Sequence, residues 1–154
     1  MEIIIKPVAY VRNSRENLSD DLWGDVVSEI ELAEEIPAES LNGIELFSYV
    51  ELIFHFHLAN NPVVYCRHPR GNPAWPEVGI FAQRNKDRPN GLGITVAEIV
   101  NREPRKLIVK HLDAINGTPV IDIKPVMRQF MADKSAISQP SWVDEMLVDY
   151  WKRN

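Results

Sequence analysis

Cysteine is almost missing from this chain: Cys66 is the only one. A single thiol rules out an intrachain disulfide and a cysteine-built zinc site, and it points to a cytoplasmic location. Long hydrophobic runs are missing too. No apolar stretch approaches the roughly 20 residues of a membrane span. The opening MEIIIKPVAYV carries Glu2 and Lys6, has no basic leader, and is followed by no small-residue cleavage site. No membrane partner is expected. Positive charge is not in excess: 17 Lys and Arg against 22 Asp and Glu give a formal charge of -5. Nonspecific nucleic-acid binding over the whole surface is thereby excluded, because counterion release needs clustered basic side chains. Local clusters do occur, at Arg67, His68 and Arg70, at Arg84, Lys86 and Arg88, and at Arg102, Arg105 and Lys106. Taken singly, each reads equally as solvated loop charge.

What is present is a succession of short β-forming runs. IIIKPVAYV, VVSEIEL, IELFSYVELIFHFHL, VVYCR, VGIFA, ITVAEIV, KLIVKHLDAI and PVIDIKPV are cut by NG, NP, GNP, RPNG and NGTP turn signals. The 154 residues suit one domain with one core. Many short strands in sequence predict a mainly β fold, a single closed or nearly closed β-barrel over residues 3–126. Residues 127–140 read as a connecting loop. From Ser141, a candidate cap, Trp142, Met146 and Tyr150 recur at i, i+4, i+8 beside Val143, Leu147 and Trp151. That period predicts a C-terminal helix over 141–152, packed on the barrel or on a partner subunit.

Three constellations carry possible chemistry. Arg88-Pro89-Asn90-Gly91-Leu92-Gly93 invites comparison with a nucleotide-binding glycine loop, yet ITVAEIV follows it where a Rossmann loop must open a helix. No Rossmann domain is expected. The segment would serve as a plain β-turn, but Arg84 and Arg88 flank it as two donors able to grip a carboxylate or phosphate. On PVIDIKP, Asp122 and Lys124 share one strand face and could pair. A surface ion pair and a functional pair both remain open. His55 and His57 form an H-x-H pair, but only His68 and His111 remain as further imidazoles and no carboxylate spacing accompanies them. No metal is expected, a hydrogen-bonding or stacking histidine being the better reading. Trp23, in Asp20-Asp21-Leu22-Trp23-Gly24-Asp25, is open to core packing or to stacking.

Two blocks, GIFAQRNKDRPNGLGIT from Gly79 to Thr95 and LDAINGTPVIDIKPV from Leu112 to Val126, together resemble the TsaA-like, or TrmO, family of S-adenosylmethionine-dependent tRNA methyltransferases. Family members read like G-V-F-A-T-R-S-x-x-R-P-N-P-I-G-x-S and L-D-x-x-D-G-T-P-V-x-D-I-K-P-Y. A third match sets G-L-E-x-F-S-H-x-W and a following F-H pair on Gly43 to Glu51 and on Phe56-His57. The chain departs from the pattern at Tyr49, Glu51, Gly91, Asn116 and Val126, and Trp23-Gly24-Asp25 stands in the region of the family's early P-R-Q.

The resemblance implies a β-barrel that binds S-adenosyl-L-methionine and works as a homodimer. It implies methyl transfer to the exocyclic nitrogen of a threonylcarbamoyl-modified adenosine beside the tRNA anticodon. By matching positions, the implied cofactor wall is Phe56, His57, Arg84, the turn of Leu92, Gly93, Ile94 and Thr95, and the run of Leu112, Asp113, Ala114, Ile115 and Asn116, with Trp23 added. Asn90 and Asp122 are candidates to take up the hydrogens of the acceptor amine, and Arg88 with Lys124 to hold the anionic substrate. Two other classes stand beside this one: a binding module of the same fold with a different acceptor or none, and a metal-dependent barrel enzyme using His55 and His57.

Overall fold

Each run of alternating residues in the chain has one apolar side to bury, and the six longest close on one another to do so. In the computed structural model, which describes residues 1–154, β1 (Ala9–Arg12), β2 (Val27–Leu32), β3 (Tyr49–His55), β6 (Leu92–Glu103), β7 (Lys106–Lys110) and β8 (Pro119–Pro125) form a closed barrel in the order β1-β2-β7-β6-β3-β8. Every neighbouring pair is antiparallel. β4 (Cys66–Arg67) and β5 (Val78–Gly79) make a separate two-stranded ribbon. The mainly β expectation is met, and the glycine turn opens a strand, β6, as read from the sequence.

Strand alternation sorts the side chains. Val50, Leu52 and Phe54 of β3, Ile30 and Leu32 of β2, Leu107 and Val109 of β7 and Ala97 of β6 point inward and form the core with Ala9, Val11, Leu112, Ala114 and Val120. Burying each large side chain of this set stabilises the fold by about 1.5–3 kcal/mol. Opposed residues share a face, so Gly93, which pairs with Phe54, and Thr95, which pairs with Leu52, also look inward.

The register fixes what lies at each end. His55 pairs with Leu92, Val27 with Lys110 and Tyr10 with Pro119, so the connections 13–26, 56–91 and 111–118 all emerge at one end of the barrel.

Two expected elements are shorter than the sequence suggests. The first run is a strand only over Ala9–Arg12, with backbone bonds reaching back to Val8 (N–H to Val120 O at 2.8 Å, O from Ala33 N–H at 2.9 Å); Pro7 has no N–H to extend the ladder, and Ile3, Ile4 and Ile5 are exposed. The helix anticipated over 141–152 occupies Ser141–Met146, with Pro140 as N-cap residue and no side-chain cap, so Ser141 is its first residue. Past Met146 the chain turns, because its carbonyls are taken elsewhere: Leu22 N–H donates to Asp149 O (3.1 Å), Trp23 N–H to Tyr150 O (2.9 Å) and Gly24 N–H to Lys152 O (3.1 Å). The segment 128–140 contains two 3-10 turns, Arg128–Phe130 and Lys134–Ala136. No helix is long and apolar enough to cross a membrane.

Candidate functional site at one end of the barrel

Arg84, Asp113 and Thr95 meet where β6 begins. The Thr95 hydroxyl donates to Asp113 Oδ1, the Tyr150 hydroxyl donates to Asp113 Oδ2, and an Arg84 guanidinium N–H donates to the carbonyl of Ile94. A cation and an anion from two different connections thus stand on adjacent residues of one strand. Arg84 is otherwise exposed. Burial and the neighbouring Asp113 charge raise the Tyr150 phenol above its usual range, so it stays a donor.

Packing explains why β6 carries a glycine. A Cβ on Gly93 would lie 2.5 Å from Phe54 Cε2 and 2.9 Å from Phe56 Cζ, closer than side chains approach. The two rings meet edge to face, centroids 5.5 Å apart. Phe56 N–H donates to Gly91 O at 2.8 Å, which fastens the end of β3 to the glycine turn. His57 follows, half-buried; burial first, then the neighbouring His55, lowers its pKa and favours the neutral ring. Asn90 lies in the left-handed region (φ 65°) with its side chain exposed, and Gly91 follows at φ 56°.

The 111–118 run divides by alternation. Leu112 and Ala114 are core residues, Asp113 faces Thr95, and Ile115 is half-buried. Asn116 secures the turn: its N–H donates to Arg15 O (2.7 Å) and its Oδ1 accepts from Asn13 N–H (3.2 Å). Asn13 also donates to Ser28 Oγ and to Ala114 O. Trp23 is 5% exposed, lies 4.2 Å beneath the Arg15 guanidinium, and donates from Nε1 to Asp20 O. The structure therefore places Trp23 as a packing residue beneath Arg15, not as an open stacking surface.

Not every candidate gathers here. Asp122 and Lys124 pair with one another on the outer face of β8, opposite Ile53 and Glu51. Asp122 holds the Lys124 ammonium above its ordinary pKa. At about 3.3 Å per residue they stand roughly 7 and 13 Å back along the strand from His55. Arg88 spans its own turn, donating to Gln83 O at 2.8 Å.

The basic clusters are largely occupied from within. Arg67 and Lys86 reach the buried Asp87, at 3.4 and 2.8 Å. Burial alone would raise the Asp87 pKa, but the hydrogen bonds from Lys86 and Asn61 and the charges of Lys86 and Arg67 hold it below the ordinary carboxylate value. Arg70 pairs with Asp21 and Asp20, Arg105 donates to the carbonyls of Ile36 and Ala33, and Lys106 pairs with Glu29. No group of three or more His, Cys, Asp or Glu side chains converges in the manner of a metal site.

Sequence reasoning missed Tyr150, Asn13 and Arg15. Tyr150 was visible only as one step of an apolar period; a buried tyrosine hydroxyl needs a partner, which was the one available signal.

Comparison with known proteins follows the same outline. Residues 19–132 match the family model described as the tRNA-methyltransferase O N-terminal domain. The human tRNA (adenine(37)-N6)-methyltransferase is 35% identical over 122 residues, 77% of this chain and 25% of that protein. A probable S-adenosyl-L-methionine-binding protein of Methanothermobacter thermautotrophicus is 36% identical over 129 residues, 81% of this chain and 90% of that one. The crystal structure of TrmO from Pseudomonas aeruginosa superposes with a TM-score of 0.69 at 28% identity, covering 91% of this chain and 64% of that chain. The chain thus spans 25% of the human protein, and 37% of a methyltransferase-named relative from Pseudomonas aeruginosa. The chain belongs to the tRNA-methyltransferase O N-terminal domain family.

Proposed function

We propose that the barrel end holding Arg84 and Asp113 binds S-adenosyl-L-methionine, and that the protein transfers its methyl group to tRNA at the exocyclic N6 nitrogen of adenosine 37. The names of relatives, as S-adenosylmethionine-dependent or S-adenosylmethionine-binding proteins and as an adenine-37 tRNA methyltransferase, support the reading. The observation that carries it is the juxtaposition on β6: an exposed guanidinium on the Ile94 carbonyl, and a carboxylate held by Thr95.

The donor set fits the cofactor. Arg84 keeps free N–H groups for a carboxylate. Each Asp113 oxygen has accepted one donor and keeps a second lone pair for a ribose hydroxyl or an adenine amine. Phe56, the turn from Leu92 to Thr95, and the Leu112 to Asn116 run supply apolar surface and backbone groups for the rest, with His57 neutral beside them. When bound, the cofactor supplies a sulfonium methyl: the amine lone pair forms the N–C bond as the C–S bond breaks with its electrons onto sulfur. What the chain adds is position and the exclusion of water.

Asn90, exposed at the same end, orients the acceptor nitrogen by accepting its N–H, the hydrogen that is lost as the N–C bond forms. The released proton goes to water, since Asp122, the carboxylate candidate, is paired with Lys124 away from this end. Arg88 keeps donors beyond the one on Gln83 O and suits the carboxylate of a threonylcarbamoyl group on the adenosine. A homodimer in the cytoplasm completes the reading, since the outer face of β3 and β6 leaves Tyr49, Ile94, Val96 and Val100 exposed.

The test is transfer of labelled methyl from S-adenosylmethionine to total tRNA lacking the modification. The wild-type protein should label tRNA and Arg84→Ala should not. A second reading, a binding module without transfer, is favoured by the archaeal binding-protein relative that this chain covers almost end to end. It predicts cofactor binding with no label in tRNA.

A further inference from the structure

The last residues of the chain are folded into the site. Three backbone hydrogen bonds lay Asp149–Lys152 along Leu22–Gly24, and at Gly24 the packing leaves no room for a side chain. A Cβ there would stand 2.3 Å from the carbonyl oxygen of Trp151, so any side chain at position 24 displaces this segment. Trp151 sets its ring edge against Tyr150 (centroids 5.1 Å) and against His111 (5.8 Å). Glu145, one turn earlier, accepts from Trp75 Nε1 at 2.8 Å and ties the helix to the 56–91 connection. The segment and the helix before it are thus seated together against residues of all three connections at this end. None of the fourteen residues of the barrel core lies beyond Val120, so the segment sits outside that core.

What the segment delivers is one hydroxyl. Asp113 projects from a connection, with rotatable bonds of its own, and its two oxygens are held by Thr95 from β6 and by Tyr150 from the segment. Take away the Tyr150 donor and one oxygen is free to swing. A carboxylate whose rotamer is fixed on both sides is pre-organised for a ligand; one fixed on one side is not.

We infer that Tyr150 is a positioning residue of the cofactor site, its hydroxyl locking the Asp113 carboxylate in the orientation that receives the nucleoside. The inference rests on the proposed cofactor reading. Arg84, Arg70 and Asp20 are the other charged groups facing the phenol, and none of them donates to Asp113, whose oxygens accept from Thr95 and Tyr150.

Calorimetric titration of S-adenosylmethionine into the full chain tests this, using wild type, Tyr150→Phe, Asp113→Asn and the double variant, with thermal unfolding of each. Tyr150→Phe keeps the ring and should bind roughly 5- to 10-fold more weakly, the worth of one net hydrogen bond. The double variant should bind no more weakly than Asp113→Asn alone, because the tyrosine acts only through that carboxylate. A merely structural tyrosine would give losses that multiply. Gly24→Val, which touches neither residue but unseats the segment, should lower affinity in the same direction, and it carries the test if Tyr150→Phe does not fold. Wild-type affinity in Tyr150→Phe, or multiplying losses, overturns the inference while leaving the cofactor site standing. Absence of binding by the wild type at millimolar ligand overturns the cofactor site, and this inference with it.

Discussion

Gly93→Ala adds one methyl group to the most crowded point of the barrel end. The new Cβ would lie 2.5 and 2.7 Å from Phe54 Cε2 and Cζ, and 2.9 Å from Phe56 Cζ. Phe54 is 2% exposed and cannot retreat into solvent, while Phe56 bears on it edge to face. Both rings must therefore move. Overpacking of this kind costs about 1–3 kcal/mol. For a chain of this size each kcal/mol lowers Tm by about 2–4 °C, so a fall of roughly 2–12 °C is expected. Urea unfolding should show a lower midpoint at unchanged slope. Cofactor affinity should fall as well, because Phe56 belongs to the proposed wall. Gly79→Ala is the control: φ there is -62° and the nearest atom to an added Cβ is Tyr65 O at 3.9 Å, so stability should stay within about 0.5 kcal/mol of wild type. A Gly93→Ala protein with wild-type Tm and affinity would refute the packing argument.

The buried Asp87 and the half-buried Tyr150 give opposite pH signatures. Asp87 is held below its ordinary pKa, so its contribution is present above about pH 4 and is lost as pH falls through the folded value. Asp87→Asn should cost about 1–3 kcal/mol at neutral pH, with the gap to wild type closing on acidification. A gap that stays constant down to the acid transition would contradict this. Tyr150 is raised above its ordinary value by burial and by Asp113, so its contribution is complete below about pH 10 and is lost as pH climbs from there toward the folded value. Denaturant midpoints of wild type and Tyr150→Phe should run parallel from pH 7 to 9 and converge at higher pH; divergence would count against the assignment.

The barrel was legible because strand alternation is a local signal: each of β2, β3 and β7 shows its buried face in its own letters. The Asp122 and Lys124 pairing was legible for the same reason. The segment after Met146 was not. Its residues keep a helical apolar period, but their carbonyls bond to Leu22–Gly24, 127 or 128 positions earlier in the chain. The basic clusters misled in a similar way. Arg70 looks free in sequence and is bound to Asp21, 49 positions away, and Arg105 is spent on carbonyls 69 and 72 positions away. Arg84 stood out as a donor flanking the glycine turn and again through the resemblance, while its placement on the Ile94 carbonyl beside Thr95 and Asp113 needed the fold.

The proposed function stands on Arg84 and Asp113 as the cofactor site. Titration of S-adenosylmethionine into purified wild-type protein and Arg84→Ala tests it directly. Losing a charge-assisted hydrogen bond of about 1.5–3 kcal/mol should weaken binding roughly 10- to 150-fold in Arg84→Ala, against saturable binding by the wild type. Equal binding by the two proteins, or no binding by either at millimolar ligand, would contradict the account.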